Sequence, residues 1–302
     1  LLVAGLGISI ATIVGFTVGI ARLSSNWLIA KLAESYIEIL RNIPLLLQIF
    51  FWYFAVLRAL PKPKQSLELA DSFFLNNRGL FIPDPVFGES GTLILYSFIA
   101  AILISVGISI WSKQRQNKTG QTFPVFYSSI GLLISFVFLS MLATGFPVTF
   151  DYPELKGFNF KGGIKLIPEL VALTFALSMY TASFIAEVVR AGIQAVSLGQ
   201  TEAARSLGLN PNQILRLVII PQALRVIVPP LTNQYLNLTK NSSLAAAIAY
   251  PDLVLVFAGT AMMQTGRAIE IVGITMATYL TISLAISMFM NWYNKRIAIQ
   301  EK

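Results

Sequence analysis

The chain has 302 residues, 55% of them hydrophobic and only 12% charged, with a mean hydropathy of +0.70 and a formal charge of +8. A soluble domain carries about 25% charged residues, so much of this surface must face something other than water. At about 20 apolar residues per crossing helix, the length holds roughly seven or eight spans and no large soluble domain. Neither Cys nor His occurs, which removes thiol nucleophiles, thiolate metal sites, disulfides and the commonest general base. Leu stands first where Met is usual, and residues 1–21 are already apolar, so a preceding segment is expected.

Uncharged apolar runs predict seven spans, at about 1–21, 43–57, 93–111, 124–147, 167–186, 217–250 and 269–291. In the first, Gly15-x-x-x-Gly19 predicts a small-residue packing face. Next, Lys31, Glu34, Glu38 and Arg41 fall three or four apart, as exposed charge pairs on a helix do. Residues 61–92, rich in Pro and Asn, read as an external loop, 112–123 as a short basic hairpin and 148–166 as a second mixed-charge loop. Glu187 and Arg190, three apart at the end of the fifth span, are placed to pair. The sixth run is the poorest: Pro221, Pro229, Pro230 and Pro251 interrupt it, and it carries Asn233, Gln234, Asn237, Lys240 and Asn241.

With the connections 22–42, 112–123, 187–216 and the C-terminus on one side, that side, Arg225 included, holds 13 of the 22 basic residues and five of the 14 acids. It carries the whole excess charge, which the positive-inside rule assigns to the cytoplasmic face. No nucleic-acid partner is needed to explain the charge, and no basic arm or aromatic platform suggests one.

Residues 187–216 do not look like loop filler. Ser197 followed three later by Gln200 fits a capping box. Thr201 to Leu207 are acceptable helix formers, Gly208 can take the left-handed stop, and Asn210-Pro211 restarts a second helix. A helix of about ten residues is roughly 15 Å long, half a bilayer. It lies on the membrane surface, merely reversing the chain, or in a partner's groove. Ala203, Ala204 and Gly208 permit close approach, and Glu202 and Arg205 offer opposite charges.

Glu202-Ala203-Ala204-x-x-x-Gly208, followed by Val218-Ile219-Ile220-Pro221, resembles the EAA motif of bacterial ABC importer permeases, with Val-x-Ile-Pro for the usual Ile-x-Leu-Pro. YIEILRNIPLLLQIFFWYF (36–54), ASFIAEVVRAGIQAV (182–196), PQALRVIVPPLTNQYLNLTKNSSLA (221–245) and YPDLV (250–254) are similar to permeases for polar amino acids, nearest to the general L-amino acid type. Arg41-Asn42-Ile43-Pro44 departs from the family's more usual Arg-Gly-Thr-Pro. The resemblance implies an all-α polytopic protein of the bacterial inner membrane, with a five-helix core and about two inserted spans. Core spans 1–2 would occupy 1–60, the insertion 61–162 and core spans 3–5 residues 163–302, with the coupling helix at about 198–208 and the C-terminus cytoplasmic. Glu202, Ala203, Ala204, Arg205 and Gly208 would dock on a cytoplasmic ATPase. The implied partners are two copies of that ATPase, a second homologous permease and an extracytoplasmic substrate-binding protein. ATP and Mg would belong to the ATPase, since no G-x-x-x-x-G-K-[ST] stretch cradles nucleotide here, and no cofactor is expected on this chain.

Polar residues at membrane depth line a cavity or join helices. Asn233, Asn237, Thr239, Lys240, Asn241 and Ser242 are the candidate substrate path, beside Pro229-Pro230, where freed backbone groups could meet substrate. Relatives commonly read Lys-Asp-Thr-Ser-Leu where this chain reads Lys240-Asn241-Ser242-Ser243-Leu244. An amide in place of a carboxylate favours neutral or broad amino-acid transport over recognition of a cationic side chain. The rival reading is an ATP-independent carrier or channel using Lys240, Arg267 and Glu270 as intramembrane charges.

Overall fold

The structure, a computed structural model, describes every residue except 89–90, 146–147 and 298–302. The last residues of the expected fourth span, and Glu301 and Lys302 of the charge tally, lie outside the described residues. The chain divides into two compact units, Leu1–Ser66, Leu75–Leu80 and Leu166–Lys302 in the first, and Leu67–Phe74 and Phe81–Lys165 in the second.

In the first unit, α1 (Leu2–Ala21) lies along α6 (Pro168–Gln194). Ala4, Gly7, Ala11, Gly15 and Gly19 recur every three or four residues and are buried. A Cβ added to Gly15 would sit 2.6 Å from Cβ of Ile185, and one on Gly19 2.7 Å from the Ala186 carbonyl oxygen. The expected packing face is therefore present, and its backbone approaches too closely for any side chain. Helix α6 is the spine: Leu173, Ala176, Leu177, Ala182, Ile185 and Ala186 are fully buried. Two of its buried hydroxyls bond within the helix, Ser178 Oγ donating to the Thr174 carbonyl at 2.6 Å and Ser183 Oγ to that of Tyr180 at 2.6 Å.

Helix α2 (Trp27–Asn42) starts at an Asn26 cap, whose side chain accepts from the Leu28 and Ile29 amides. Helix α3 (Leu45–Leu57) follows at a bend of 104°. The bend has a local cause: Pro44 disfavours a helical conformation in the residue before it, and Ile43 is extended (φ −96, ψ 130). Buried Gln48 holds the corner by donating to the Leu40 and Ile43 carbonyls at 2.9 and 3.0 Å. The expected lone crossing at 43–57 is thus corrected, since α3 by itself reaches only about 20 Å and forms a broken pair with α2. On α2, Glu34 pairs with Lys31 at 3.2 Å, as the spacing suggests, and with Arg22 at 2.9 Å. Arg41 does not pair with Glu38 but lies 5.1 Å over the Phe184 ring.

Helix α7 (Leu198–Ser206) precedes α8 (Pro211–Ile248). Contrary to the expected break, α8 runs through Pro229 and Pro230. Proline fits helical φ and removes only its own N–H, leaving the Arg225 and Val226 carbonyls without their usual donors, while buried Ile227, Val228 and Leu231 anchor the segment. Pro221 follows a wider π-type turn at Leu215–Ile219. The last turns, Ser242–Ile248, tighten to 3₁₀ and stop at left-handed Ala249, φ +56. Helix α9 spans 253–265 and α10 is Ala268–Ile297.

The second unit contains the hairpin of α4 (Gly91–Thr119) and α5 (Val125–Ala143), tied by Ser97 Oγ donating to Ser140 Oγ at 2.9 Å. Helix α4 continues through most of the expected basic hairpin, because Lys, Gln and Arg are good helix formers. The stretches read as loops contain short strands. Antiparallel β1 (Asp84–Phe87) and β2 (Val148–Asp151) place Asp84 opposite Asp151, and β3 (Glu154–Lys156) and β4 (Asn159–Lys161) place Glu154 opposite Lys161. Phe160 of β4 packs against Phe74 and Phe81, with tilted rings and centroids 4.5 and 5.0 Å apart. Among the described residues, six helices are long and apolar enough to cross a membrane: α1, α4, α5, α6, α8 and α10. The bent α2–α3 pair makes seven if it counts as one span.

Candidate functional site

Helix α7 begins at Ser197, as the sequence predicts, but the capping box does not form: Ser197 makes no side-chain cap bond. Gln200 Oε1 instead accepts from Gln222 Nε2 at 3.5 Å, turned toward α8 rather than back to the cap. The far end is closed by a Schellman arrangement. The Leu209 amide donates to the Ala204 carbonyl at 3.2 Å and the Gly208 amide to that of Arg205 at 2.9 Å, with Gly208 left-handed at φ +78. Two residues on, Asn210 and Gln213 form a complete reciprocal capping box at 2.9 and 3.0 Å, with Pro211 in the first helical turn. The segment from 198 to 214 is therefore one short helix joined by a fixed corner to the first turn of α8.

Ala204 is buried, at 4% exposure, whereas Glu202, Ala203, Arg205 and Gly208 are exposed. Glu202 and Arg205 make no ion pair among the described residues. Leu198 and Leu207, 79% and 81% exposed, stand at the two ends of this polar helix. Sequence reading passed over them; the available signal was large apolar residues bracketing a polar helix too short to span. Glu187 and Arg190 do pair, with Arg190 Nε donating to Glu187 Oε2 at 3.1 Å, near the C-terminal end of α6.

The candidate path residues separate. Asn233, Asn237 and Lys240, at i, i+4 and i+7, share one exposed face of α8 with Val226 and Pro229. Thr239 is buried and donates to the Tyr235 carbonyl at 2.8 Å, Ser242 donates to that of Thr239 at 2.8 Å, and Asn241 is half-buried. Thr239 and Ser242 line a cavity of about 460 Å³ with Tyr250, Asp252, Thr278 and Tyr279. Lys240 borders a separate groove of about 490 Å³ with Thr275, Tyr279 and Ser283. Tyr235 joins α8 to α1 through a 2.9 Å hydrogen bond with Thr12, the glue role foreseen for polar groups in this stretch.

Asp252 lies in the YPDLV stretch that carries the resemblance but was not among the expected path residues. Its Oδ1 accepts from the Leu255 amide at 2.8 Å and caps α9, while Oδ2 is buried without a partner among the described residues. At the top of α3, Tyr53 donates to Glu169 Oε1 at 2.7 Å and Arg58 Nη2 donates to Tyr53 Oη at 2.7 Å, binding α3 to the start of α6. Lys240, Arg267 and Glu270, the charges of the ATP-independent reading, are all exposed, and no ion pair links them.

Comparison with known proteins agrees with this architecture. The family model described as "Binding-protein-dependent transport system inner membrane component" matches residues 108–299. The chain is 58% identical to YhdX of Escherichia coli over 100% of its own length and 77% of that protein. It is 52% identical to the general L-amino acid transport system permease protein AapQ of Rhizobium johnstonii, over 100% of this chain and 75% of that one. The glutamate/glutamine/aspartate/asparagine transport system permease protein BztB of Rhodobacter capsulatus is 45% identical over 94% and 73%. A crystal structure of an amino acid ABC transporter with histidines shares the fold, with a TM-score of 0.56 and 22% identity over 97% of this chain and 88% of that chain. A family match across most of the sequence, joined to identities of this size over its whole length, has one reading: the chain belongs to the binding-protein-dependent transport system inner membrane components.

Proposed function

We propose that the protein is one permease subunit of an ATP-driven importer that carries amino acids, neutral or of broad range, across the bacterial inner membrane. Hydrolysis falls to a cytoplasmic ATPase in two copies, where ATP and Mg bind; a second permease completes the channel, and an extracytoplasmic binding protein delivers substrate. The amino-acid class rests on the substrates named for AapQ and BztB. Membership of a binding-protein-dependent family displaces the ATP-independent reading. Helix α7, the α2 side and the C-terminus face the cytoplasm on the charge tally.

The observation that carries the mechanism is α7. It exposes Glu202, Ala203 and Arg205, is flanked by exposed Leu198 and Leu207, and connects through the closed Gly208–Asn210 corner to the continuous helix α8. A short helix closed in this way transmits displacement rather than absorbing it. ATPase closure would therefore move α8, whose Asn233, Asn237 and Lys240 face is free to meet substrate or the second permease.

The test is Glu202→Lys, assayed in vesicles with the partner subunits present. The expected result is loss of ATP-dependent amino-acid uptake with membrane insertion and expression unchanged; unchanged uptake would overturn the coupling role.

A further inference from the structure

We infer that the tip of the α4–α5 hairpin is a binding site for the phosphate headgroups of anionic phospholipids. The first observation is one of charge. Residues 91–150 contain Lys113, Arg115 and Lys118 but no Asp or Glu. Two other clusters near helix ends do carry their own carboxylate: Glu34 beside Arg22 and Lys31, at 2.9 and 3.2 Å, and Glu187 beside Arg190. Among the described residues no carboxylate pairs with any of the three at the hairpin tip.

The second observation is that the tip is organised. Arg115 lies 5.3 Å over the Trp111 ring, and its Nη2 donates to Gln121 Oε1 at 2.7 Å. Trp111 meets Phe123 edge-on at 5.5 Å, so the connection between the helices folds back on the end of α4. Trp111, Arg115 and Lys118 fall at i, i+4 and i+7 on one face. Phe126 and Tyr127, 69% and 71% exposed, stand at the start of α5.

These two observations point to lipid. Both helices expose apolar side chains along their length, among them Leu95, Leu103, Ile134 and Leu139, so acyl chains reach the tip. Aromatic rings sit at the boundary of the hydrocarbon. Arg115 and Lys118 lie four and seven residues beyond Trp111, about 6 and 10 Å along the helix, at the depth of the phosphates. An acidic protein partner would match the cations but would make no use of the rings and bare helices leading up to them.

The experiment titrates the detergent-purified protein with phosphatidylglycerol or phosphatidylcholine and reads bound lipid by native mass spectrometry. A basic residue near an anionic surface contributes roughly fivefold. The triple variant Lys113→Gln, Arg115→Gln, Lys118→Gln should therefore bind the first phosphatidylglycerol about a hundredfold more weakly, while Lys156→Gln, Lys161→Gln binds as the parent does. High salt should weaken the parent's binding, and millimolar inorganic phosphate should not compete. Should the triple variant fold poorly, Arg115→Gln read beside charge-conserving Arg115→Lys decides, with only the Gln variant losing affinity. Equal affinity of the parent for the two lipids, or undiminished phosphatidylglycerol binding by the Gln variants, would overturn the assignment.

Discussion

Gly5 and Gly15 stand ten residues apart on α1 and call for opposite outcomes. A Cβ on Gly5 meets nothing within 4 Å, whereas one on Gly15 lands 2.6 Å from Ile185 Cβ and 3.0 Å from the Ala182 carbonyl. Gly15→Val should cost about 1–3 kcal/mol or more as an overpacked contact, lowering the thermal midpoint in detergent, while Gly5→Val stays within about 0.5 kcal/mol. At Asn241 the expected change is in selectivity: Asn241→Asp should shift uptake toward Arg and Lys, since a carboxylate complements a cationic side chain. Competition assays against the parent profile measure it, and an unchanged profile would count against this residue as a selectivity determinant. At this scale the sequence showed small residues at helical spacing but not what they touched. It could not show that Gln48, one polar residue in the run Leu45-Leu-Leu-Gln48-Ile-Phe50, closes a corner, because the carbonyls it serves are exposed by a bend that hydropathy does not register.

Helix α7 and its corner belong to the scale of elements. Gly208 at φ +78 is a position where a side chain costs about 1–2 kcal/mol. Gly208→Val should loosen the end of α7, read as faster hydrogen exchange at 205–210 with the transmembrane helices unaffected. Both helix starts in this segment, the left-handed stop and Asn210-Pro211 were legible because capping chemistry is local. The box at Ser197 was not, since Gln200 is claimed by Gln222 from another helix. The same divide explains the prolines. Pro44 breaks the chain where Ile43 is free to extend, but Pro229 and Pro230 do not break α8, whose neighbours Ile227, Val228 and Leu231 are packed. Strands of three or four residues are too short to show a period, so they read as loop.

For the whole molecule, gentle extraction followed by intact-complex mass should find this chain with two copies of an ATPase and one second permease. A lone oligomer free of ATPase would refute the proposed assembly. The membrane character and six of the seven expected spans followed from composition, because burying a bilayer's thickness of apolar surface leaves few choices. The grouping of path residues did not follow. Asn233, Asn237 and Lys240 emerge on one side of α8 while Thr239 and Ser242 turn to a cavity on another, a division set by a helical phase that only packing reveals. The contact between α1 and α6 carries a further consequence. Gly15 and Gly19 sit so close to Ile185 and Ala186 that sliding one helix along the other would drive side chains into backbone within a fraction of a turn. The contact resists shear, and the pair is expected to move as a single strut. Any opening and closing of the pathway must hinge at joints outside that strut, and cross-links between α1 and α6 should leave transport untouched.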